Sequence, residues 1–415
     1  MVEDIVALTP RDESGHQFVL YSDSTSGEPG CPHEARRRRV TEVIRRLRPR
    51  PEFLAFPGDA VMDGADAGQW RHWLDVEMRW ARDAGLPLYQ ATSNHHCYSA
   101  ECEPVFRRHN PQIPPNGPED QRGLAYYVRR GNLLYVCLHQ PERSDEYESA
   151  FRFDDTAWLE RVLAEHADAE YKFVAGHYPV FPVNGYSEAP QWCFKPDERE
   201  RFWDALVRRG VDAYLCSHVI AFDVQVRKGI PQVTSAGAGT SPHMPEGVEY
   251  LHVTQLAVDR AGSRYQVLDV HGNVRERLEW PFPAGGAKDW PVVDAVRPPR
   301  GFDGILLLQI RTGGGWLSSP GREFWAGPSA GRLAVEVDLP GCGTQRWTGP
   351  VLDRAAVQVA LHPAMGPGGV LWRWTDEDSW SSMESASARG LSGFRWPAEI
   401  ERHGEVEARS RFRAL

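Results

Sequence analysis

The sequence feature that most constrains the fold is a repeated unit, a short apolar segment that ends in a side chain able to bind a metal ion. The five end residues are, in chain order, Asp23, Asp59, Asn94, His177 and His218. Strands that alternate with helices predict an α/β protein, and such sheets bind ligands at the carboxyl ends of their strands. The five side chains are therefore expected to meet at one site. Carboxylate, amide and imidazole donors suit Mn, Fe or Zn.

Apolar periodicity predicts the elements that carry these residues. Strands are expected over 17–23, 53–56, 87–91, 133–138, 171–175 and 213–216, and helices over 34–48, 67–84, 155–166 and 197–209. The first helix contains four consecutive arginines, 36–39. Such a run is typical of a nucleic-acid contact or of a solvated helix face, and the acidic composition favours the solvated face.

The distribution of proline divides the chain. Residues 281–300 contain five prolines and are interpreted as a linker between a catalytic domain, 1–280, and a C-terminal domain, 301–415. Alternating apolar residues beyond the linker predict an all-β domain resembling a sandwich. Seven tryptophans lie there, and they either fill its core or form a face on which a ligand stacks.

Charge and cysteine content limit the partners and the compartment. With 47 basic and 57 acidic residues the formal charge is −10, which argues against nucleic acid or an anionic membrane as the main partner. The sequence has no apolar run of about 18 residues and no basic-then-apolar leader. Seven cysteines without a Cys-x-x-Cys pair indicate reduced thiols. We expect a cytoplasmic protein that acts on a small molecule, in an oligomeric state that the sequence leaves open.

Five short motifs resemble those of a known superfamily. They are Ser-Asp-Ser-Thr at 22–25, Gly-Asp-Ala-Val-Met-Asp at 58–63, Ser-Asn-His-His at 93–96, Gly-His-Tyr-Pro at 176–179 and Ser-His-Val-Ile at 217–220. In this order they are similar to the motifs of the calcineurin-like metallophosphoesterases, and they resemble most the purple-acid-phosphatase branch of that superfamily. The resemblance covers roughly 15–280. It implies a four-layer α/β/β/α sandwich and metal-dependent phosphoester hydrolysis.

The resemblance also implies a site that has kept one of two metal positions. One position maps onto Asp59, Asn94, His177 and His218, all present here. The other keeps only Asp23 and Asp59, because Thr25, Met62 and Ile220 stand where the family has ligands. We therefore expect one divalent Mn, Fe or Zn ion per chain, with Asp23 beside it. Replacement ligands for the second ion would come from Cys31, His33, His96 or His139.

Two histidines are the candidate catalytic residues. In the family, the residue at the position of His95 faces the substrate and protonates or steadies the leaving group, and imidazole titrates near neutral pH as this role requires. His96 replaces a carboxylate that usually orients this neighbour. It is either a second acid or substrate contact, or a histidine of the core.

Three functions stay open at this point. The first is a phosphoester hydrolase, either a phosphatase or a phosphodiesterase. The second is a repurposed scaffold that catalyses a non-hydrolytic reaction, such as an elimination, on a small biosynthetic intermediate, because fold does not fix function. The third is a non-catalytic ligand-binding protein. Retention of Asn94 and His95 argues against the third, and Ile220 argues against an ordinary two-metal phosphatase.

Overall fold

A computed structural model describes residues 4–140, 156–181, 194, 196–228, 230–241 and 250–280, and beyond these only strand segments between 306 and 382. The strands up to residue 280 are β1 (Ile5–Val6), β2 (His16–Leu20), β3 (Leu47–Arg48), β4 (Leu54–Phe56), β5 (Leu88–Gln90), β6 (Tyr126–Arg130), β7 (Leu133–Cys137), β8 (Tyr171–Ala175), β9 (Ala213–Cys216), β10 (Phe222–Arg227), β11 (Ile230–Ser235), β12 (His252–Asp259), β13 (Gly262–Asp269) and β14 (Val274–Trp280). The helices are α1 (Pro32–Arg46), α2 (Ala67–His72), α3 (Arg79–Asp83), α4 (Cys102–His109), α5 (Thr156–Glu165) and α6 (Pro196–Arg208).

The strands form two mixed six-stranded sheets, together with a small pair of β1 and β3. The first sheet has the order β14-β13-β12-β2-β4-β5, and the second has the order β10-β11-β9-β8-β7-β6. The strands β2, β4 and β5 run parallel, as do β7, β8 and β9. The predicted α/β class is confirmed, and the strands that precede the five predicted donors, β2, β4, β5, β8 and β9, each pair in parallel with a neighbour.

Alternation along β7 shows how the two sheets pack. Its residues Leu133, Tyr135 and Cys137 belong to the large core that also includes β2 and β4 of the first sheet. The residues between them, Leu134 and Val136, pack with α5 and α6 in a second core. Since successive side chains of a strand point to opposite faces, one face of the second sheet contacts the first sheet and the other contacts helices. Across the sheets, the rings of Phe18 and Phe173 lie 5.1 Å apart.

The prediction of one continuous helix over 67–84 is wrong in the middle of that range. It divides into α2, a π-helical turn at Trp73–Glu77, and α3. The Met78 amide donates to the carbonyl of Trp73, five residues back, at 2.8 Å. The π-helical turn directs the Glu77 carboxylate inward. There it accepts hydrogen bonds from the Ser26 hydroxyl at 2.7 Å and the Gly27 amide at 2.8 Å. The loop after β2 therefore depends on this irregularity, which apolar periodicity does not reveal.

The arginine run at 36–39 is only partly solvated. Arg38 and Arg39 are exposed, but Arg37 is buried and forms an ion pair with the buried Glu77 at 3.1 Å. The helical rotation of 100° per residue puts Arg37 on the same face as Val40, Thr41 and Ile44, which are also buried. A buried pair of this kind needs both partners, because removing one leaves a buried charge uncompensated.

Between 306 and 382 the described strands are β15 (Leu306–Gln309), β16 (Trp325–Ser329), β17 (Arg332–Leu339), β18 (Gly343–Gly349), β19 (Val357–Leu361), β20 (Val370–Trp374) and β21 (Ser381–Ser382). They pair in one four-stranded and one three-stranded antiparallel sheet. The predicted linker, 281–300, lies outside the described residues. Division of the chain into two domains stays a prediction. Within the described ranges, every helix is too short or too polar to serve as a transmembrane segment.

His16 of the first sheet forms a pH-dependent ion pair with Glu52, which precedes β4 of the same sheet, and a hydrogen bond with Asn132, which precedes β7 of the second sheet. Its Nδ1 lies 2.8 Å from Glu52 Oε2, and its Nε2 lies 2.7 Å from Asn132 Oδ1. Burial lowers the pKa of His16, but the hydrogen bonds to Glu52 and Asn132 outweigh it, so the pKa is raised above 6.5. The stabilisation by His16 is complete below pH 6.5, which is the pKa of a histidine without these partners. It is lost as the pH rises through the raised pKa of the folded protein.

We expect His16→Gln to lower the free energy of unfolding by about 1 kcal/mol in mildly acidic solution, and by less in alkaline solution. Urea unfolding of parent and variant at about pH 6 and about pH 9 measures the difference. His166→Gln is the matched control, since its half-buried ring packs against Tyr127 instead of forming such a pair. An equal difference between parent and His16→Gln at both pH values would contradict the prediction.

Candidate metal centre and active site

The five predicted donors follow strands whose carboxyl ends meet at the same edge of the two sheets. Three of them are held in a backbone conformation that non-glycine residues rarely adopt, with φ of 64° at Asp23, 53° at Asp59 and 68° at His218. Such conformations cost about 1–3 kcal/mol each and cluster at functional sites. The strain indicates that these side chains are held in place by the surrounding fold.

His177 is the centre of the cluster. Its ring is buried, and Nδ1 donates to the carbonyl of Pro57 at 2.9 Å. Because a carbonyl only accepts, Nδ1 carries a proton, and Nε2 is the nitrogen that faces the other donors. That Nε2 lies 2.8 Å from Asn94 Oδ1, 3.1 Å from His218 Nδ1 and 3.5 Å from Asp59 Oδ2. Four electron-rich atoms thus converge on one point.

The orientation of Asn94 is fixed by a residue that the sequence analysis missed. The Asn94 amide nitrogen donates to the Tyr98 hydroxyl at 2.7 Å, which leaves Oδ1 facing His177. Ser217 was also missed, and its hydroxyl lies 3.0 Å from Nδ1 of His177 and donates to the Pro57 carbonyl. In the sequence, the four-residue spacing from Asn94 to Tyr98 was the only available sign of their contact. The sequence gave no sign of the contact between Ser217 and His177.

The carboxylates of Asp23 and Asp59 complete the centre. Burial, together with the neighbouring charge of Asp59, raises the pKa of Asp23 to about 8. Burial would also raise the pKa of Asp59, but the imidazoles of His177 and His95 outweigh it and lower that pKa. Each aspartate has one buried oxygen, Oδ1, without a hydrogen bond. A buried polar atom without a partner is costly, and a cation would compensate it.

The donors present fit one divalent ion. One oxygen or nitrogen from each of Asp59, His177 and His218 lies within 4.8 Å of the other two, and Asn94 Oδ1 contacts His177. Asp23 is outside that group of three and accepts a hydrogen bond from the His218 amide at 3.3 Å. The cluster therefore offers the set that the sequence predicted for one ion, with Asp23 beside it.

The other metal position is poor in ligands, as far as the structure describes it. Ile220 is buried and apolar, and the Thr25 hydroxyl lies 2.7 Å from that of Thr240. His33, a suggested substitute, has Nδ1 2.9 Å from the Thr25 carbonyl and Nε2 3.0 Å from the Ser241 hydroxyl. The ring nitrogens of His33 are thus held by Thr25 and Ser241.

His95 faces the cluster with one ring nitrogen. Its Nδ1 donates to the carbonyl of Met62 at 2.6 Å, and its Nε2 lies 4.0 Å from Asp59 Oδ2. The Nε2 atom is therefore the one that can carry a proton to a molecule held beside Asp59. The ring also packs against Tyr98, with centroids 5.0 Å apart.

His96 points away from this position. Its ring is fully buried between Trp70 and Phe106, and its Nε2 accepts a hydrogen bond from the Ala60 amide at 3.1 Å. Burial lowers its pKa to about 3, so the ring is neutral. This environment favours the alternative of a core histidine, one that supports the loop carrying Asp59.

Gly58 allows His177 to approach the loop after β4. Its φ is +120°, and an added Cβ would lie 2.5 Å from His177 Nδ1 and 2.7 Å from Ser93 Cβ. We expect Gly58→Ala to destabilise the protein by about 2–4 kcal/mol, from backbone strain plus overpacking, and to weaken metal binding. Thermal unfolding and metal titration measure the two effects.

The matched control for this prediction is Gly85→Ala. Gly85 also has a positive φ, +65°, but an added Cβ there would meet nothing within 4 Å. It should cost only the backbone strain, about 1–2 kcal/mol, and leave metal affinity unchanged. Equal metal affinity in both variants would mean that Gly58 is not needed for the position of His177.

Two packed mixed β-sheets with carboxylate, amide and imidazole donors at their strand ends define a candidate metal-binding protein of the phosphoesterase type. Residues 19–222 match the calcineurin-like phosphoesterase family. These residues, just under half of the chain, belong to this superfamily, as the sequence motifs predicted. The match covers the five motif residues, and it ends just after Ile220.

Comparison with characterised proteins finds two phosphatases. The chain is 40% identical over 88 residues to tartrate-resistant acid phosphatase type 5 of Oryctolagus cuniculus, and this match spans 21% of the chain and 24% of that protein. It is 22% identical over 250 residues to the serine/threonine-protein phosphatase CPPED1 of Mus musculus, spanning 58% of the chain and 76% of that protein. The chain thus spans about a quarter of the first relative.

Among solved structures, the chain is similar to purple acid phosphatase PPD1 from Lupinus luteus, with a TM-score of 0.48 and 12% identity over 65% of this chain and 54% of that one. It is also similar to a dimetal phosphatase from Danio rerio, with a TM-score of 0.44 and 15% identity over 64% of this chain and 98% of that one.

Proposed function

We propose that the chain hydrolyses phosphoesters with the help of one divalent metal ion, Mn, Fe or Zn, in the pocket formed by Asp59, Asn94, His177 and His218. The observation that carries the proposal is the convergence of Asn94 Oδ1, His218 Nδ1 and Asp59 Oδ2 on Nε2 of His177. Membership of the phosphoesterase superfamily and the two phosphatase relatives support the same reaction.

The residues divide the work of this reaction. Asp59, Asn94, His177 and His218 hold the ion, which when bound would polarise a phosphoryl oxygen as a Lewis acid. His95 holds a proton at Nε2 and delivers it to the leaving oxygen, while the Met62 carbonyl keeps its ring in place. Asp23, which accepts a hydrogen bond from the His218 amide, lies beside this ion. His96 keeps the loop of Asp59 in position and does not contact substrate.

The experiment that tests this function is a turnover assay with the full chain. The protein is stripped of metal, reloaded separately with Mn, Fe(II) or Zn, and supplied with generic phosphate monoesters and diesters. Metal-dependent release of phosphate or alcohol is the expected result. Absence of turnover on both ester classes with every ion, in protein shown to bind the ion, would overturn the proposal.

A second candidate function rests on the poor second metal position. The side chains of Thr25, Met62 and Ile220 leave Asp23 and Asp59 as the only family ligands there. A two-metal clamp on the attacking and leaving oxygens is then missing. The alternative is a non-hydrolytic reaction, such as an elimination, on a small biosynthetic intermediate. Tight metal binding without ester hydrolysis in the assay above would favour it.

Other features of the proposal await separate tests. The substrate is expected to be a small phosphorylated molecule, and neither nucleic acid nor a membrane is expected as a partner. A cytoplasmic location is supported by the five described cysteines, none of which forms a disulfide with another. The C-terminal strands are proposed to form a separate β domain beyond the linker.

A further inference from the structure

A second group of metal-binding side chains lies next to the catalytic loop and shares no residue with the first. It consists of Cys97, Glu103 and His139, and one ligand atom of each lies within 4.8 Å of the other two. Cys97 directly follows the short 3₁₀ turn Asn94–His96, Glu103 is in the first turn of α4, and His139 follows β7. The group therefore joins three separate parts of the fold.

The ring of His139 is oriented as a metal ligand would be. Its side chain is only 3% exposed, and Nδ1 lies 2.7 Å from the hydroxyl of the buried Thr92. The other nitrogen, Nε2, is directed at Glu103 Oε1, 3.3 Å away. Histidine ligands usually have their second nitrogen held by such a hydrogen bond, which fixes the ring and the tautomer. The Nδ1 atom of His177 is likewise held by a hydrogen bond, there to the Pro57 carbonyl, which only accepts, whereas the Thr92 hydroxyl can donate or accept.

The chemistry of the three donors selects the ion. A thiolate, a carboxylate and an imidazole are all donors that Zn²⁺ accepts, and Zn²⁺ is usually four-coordinate. Three protein ligands leave one position for water. Glu103 is 34% exposed, so the group is accessible to an ion from solution. By contrast, the donors described at the catalytic pocket, Asp59, Asn94, His177 and His218, are oxygen and nitrogen atoms.

We propose that Cys97, Glu103 and His139 bind a zinc ion that is separate from the catalytic metal. This ion would connect β7 of the second sheet to α4 and to the turn that carries Asn94 and His95. Its effect would be to hold that turn, and with it the proton donor and a ligand of the catalytic metal. The proposal does not rest on the proposed hydrolysis, since it concerns other side chains.

Cobalt provides a probe that distinguishes the two sites. A Co²⁺ ion bound by a thiolate shows a charge-transfer absorption in the near ultraviolet, and no thiolate is among the donors that the structure describes at the catalytic pocket. Titration of the stripped full chain with Co²⁺ should produce this band, saturating at one thiolate-bound ion per chain. Zn²⁺ added afterwards should remove it.

Five variants make the test specific. Cys97→Ser should abolish the band, and Glu103→Gln and His139→Gln should weaken Co²⁺ binding at this site by at least about 10-fold. Cys31→Ser, which changes another partly exposed cysteine, should keep the band. His177→Ala should also keep it, so loss of catalysis and loss of this site are distinguishable. Absence of the band in the parent, or its persistence in Cys97→Ser, would overturn the proposal and leave an ordinary His139–Glu103 ion pair.

Discussion

Replacing His177 by alanine should remove the catalytic metal and nearly all turnover. The side chain supplies the Nε2 atom that Asn94 Oδ1, His218 Nδ1 and Asp59 Oδ2 approach to between 2.8 and 3.5 Å. Changing a residue that only supports a ligand weakens metal binding about 10–100-fold, so loss of this ligand should exceed that range. Loss of several kcal/mol of transition-state stabilisation corresponds to a rate at least about 10³-fold lower.

The measurement pairs elemental analysis with steady-state kinetics. His177→Ala should contain one metal ion fewer per chain than the parent after identical loading and dialysis, and excess metal should not restore the parental rate. His166→Ala is the matched control, since that ring packs against Tyr127. The control should keep both metal content and rate. Full metal content in His177→Ala would show that the ion is held elsewhere.

Replacing His95 by asparagine should lower turnover by about 10²–10⁴-fold and leave metal content unchanged. The ring lies beside the donors and does not belong to them, because its Nδ1 donates to the Met62 carbonyl and its Nε2 is 4.0 Å from Asp59 Oδ2. Asparagine keeps a polar side chain and removes the ring nitrogen that can give up a proton. The comparison of kcat with metal stoichiometry separates the role of acid from the role of ligand.

Leaving groups identify the step in which His95 acts. A proton donor matters most when the leaving oxygen is basic, so His95→Asn should slow hydrolysis of an alkyl phosphate far more than that of a nitrophenyl phosphate. Equal losses on both esters would mean that His95 positions the substrate. A rate equal to that of the parent on every ester would show that His95 has no part in the chemistry.

The sequence by itself determined the class of fold and predicted the five donors. Each of the five donors follows a short apolar segment, either directly or after one or two intervening residues. The donors are Asp23, Asp59, Asn94, His177 and His218. Parallel strands bring such ends to one edge of a sheet whatever the details of packing, so the order of motifs was sufficient. The missing ligands at Thr25, Met62 and Ile220 could likewise be read residue by residue.

Other features depended on contacts between residues far apart in the chain. His96 looked like a candidate acid beside His95, but its ring lies between Trp70 and Phe106 and is kept neutral by burial. The division of the helix over 67–84 by a π turn follows from the position of Glu77 against the loop at Ser26, 51 residues away. Burial and long-range hydrogen bonding leave no periodic pattern in sequence.

The second group of metal-binding side chains shows the same limit. The positions of Cys97, Glu103 and His139 show no recognisable ligand spacing in the sequence. The reason is that α4, which carries Glu103, and β7, which precedes His139, belong to different layers of the fold. His139 could only be suggested as a substitute ligand for the first centre, whereas the structure places it with a thiol and a carboxylate. Sequence determines which donors a chain contains and which strand ends they follow. Tertiary packing alone decides which donors meet, because the meeting depends on how sheets and helices approach each other in space.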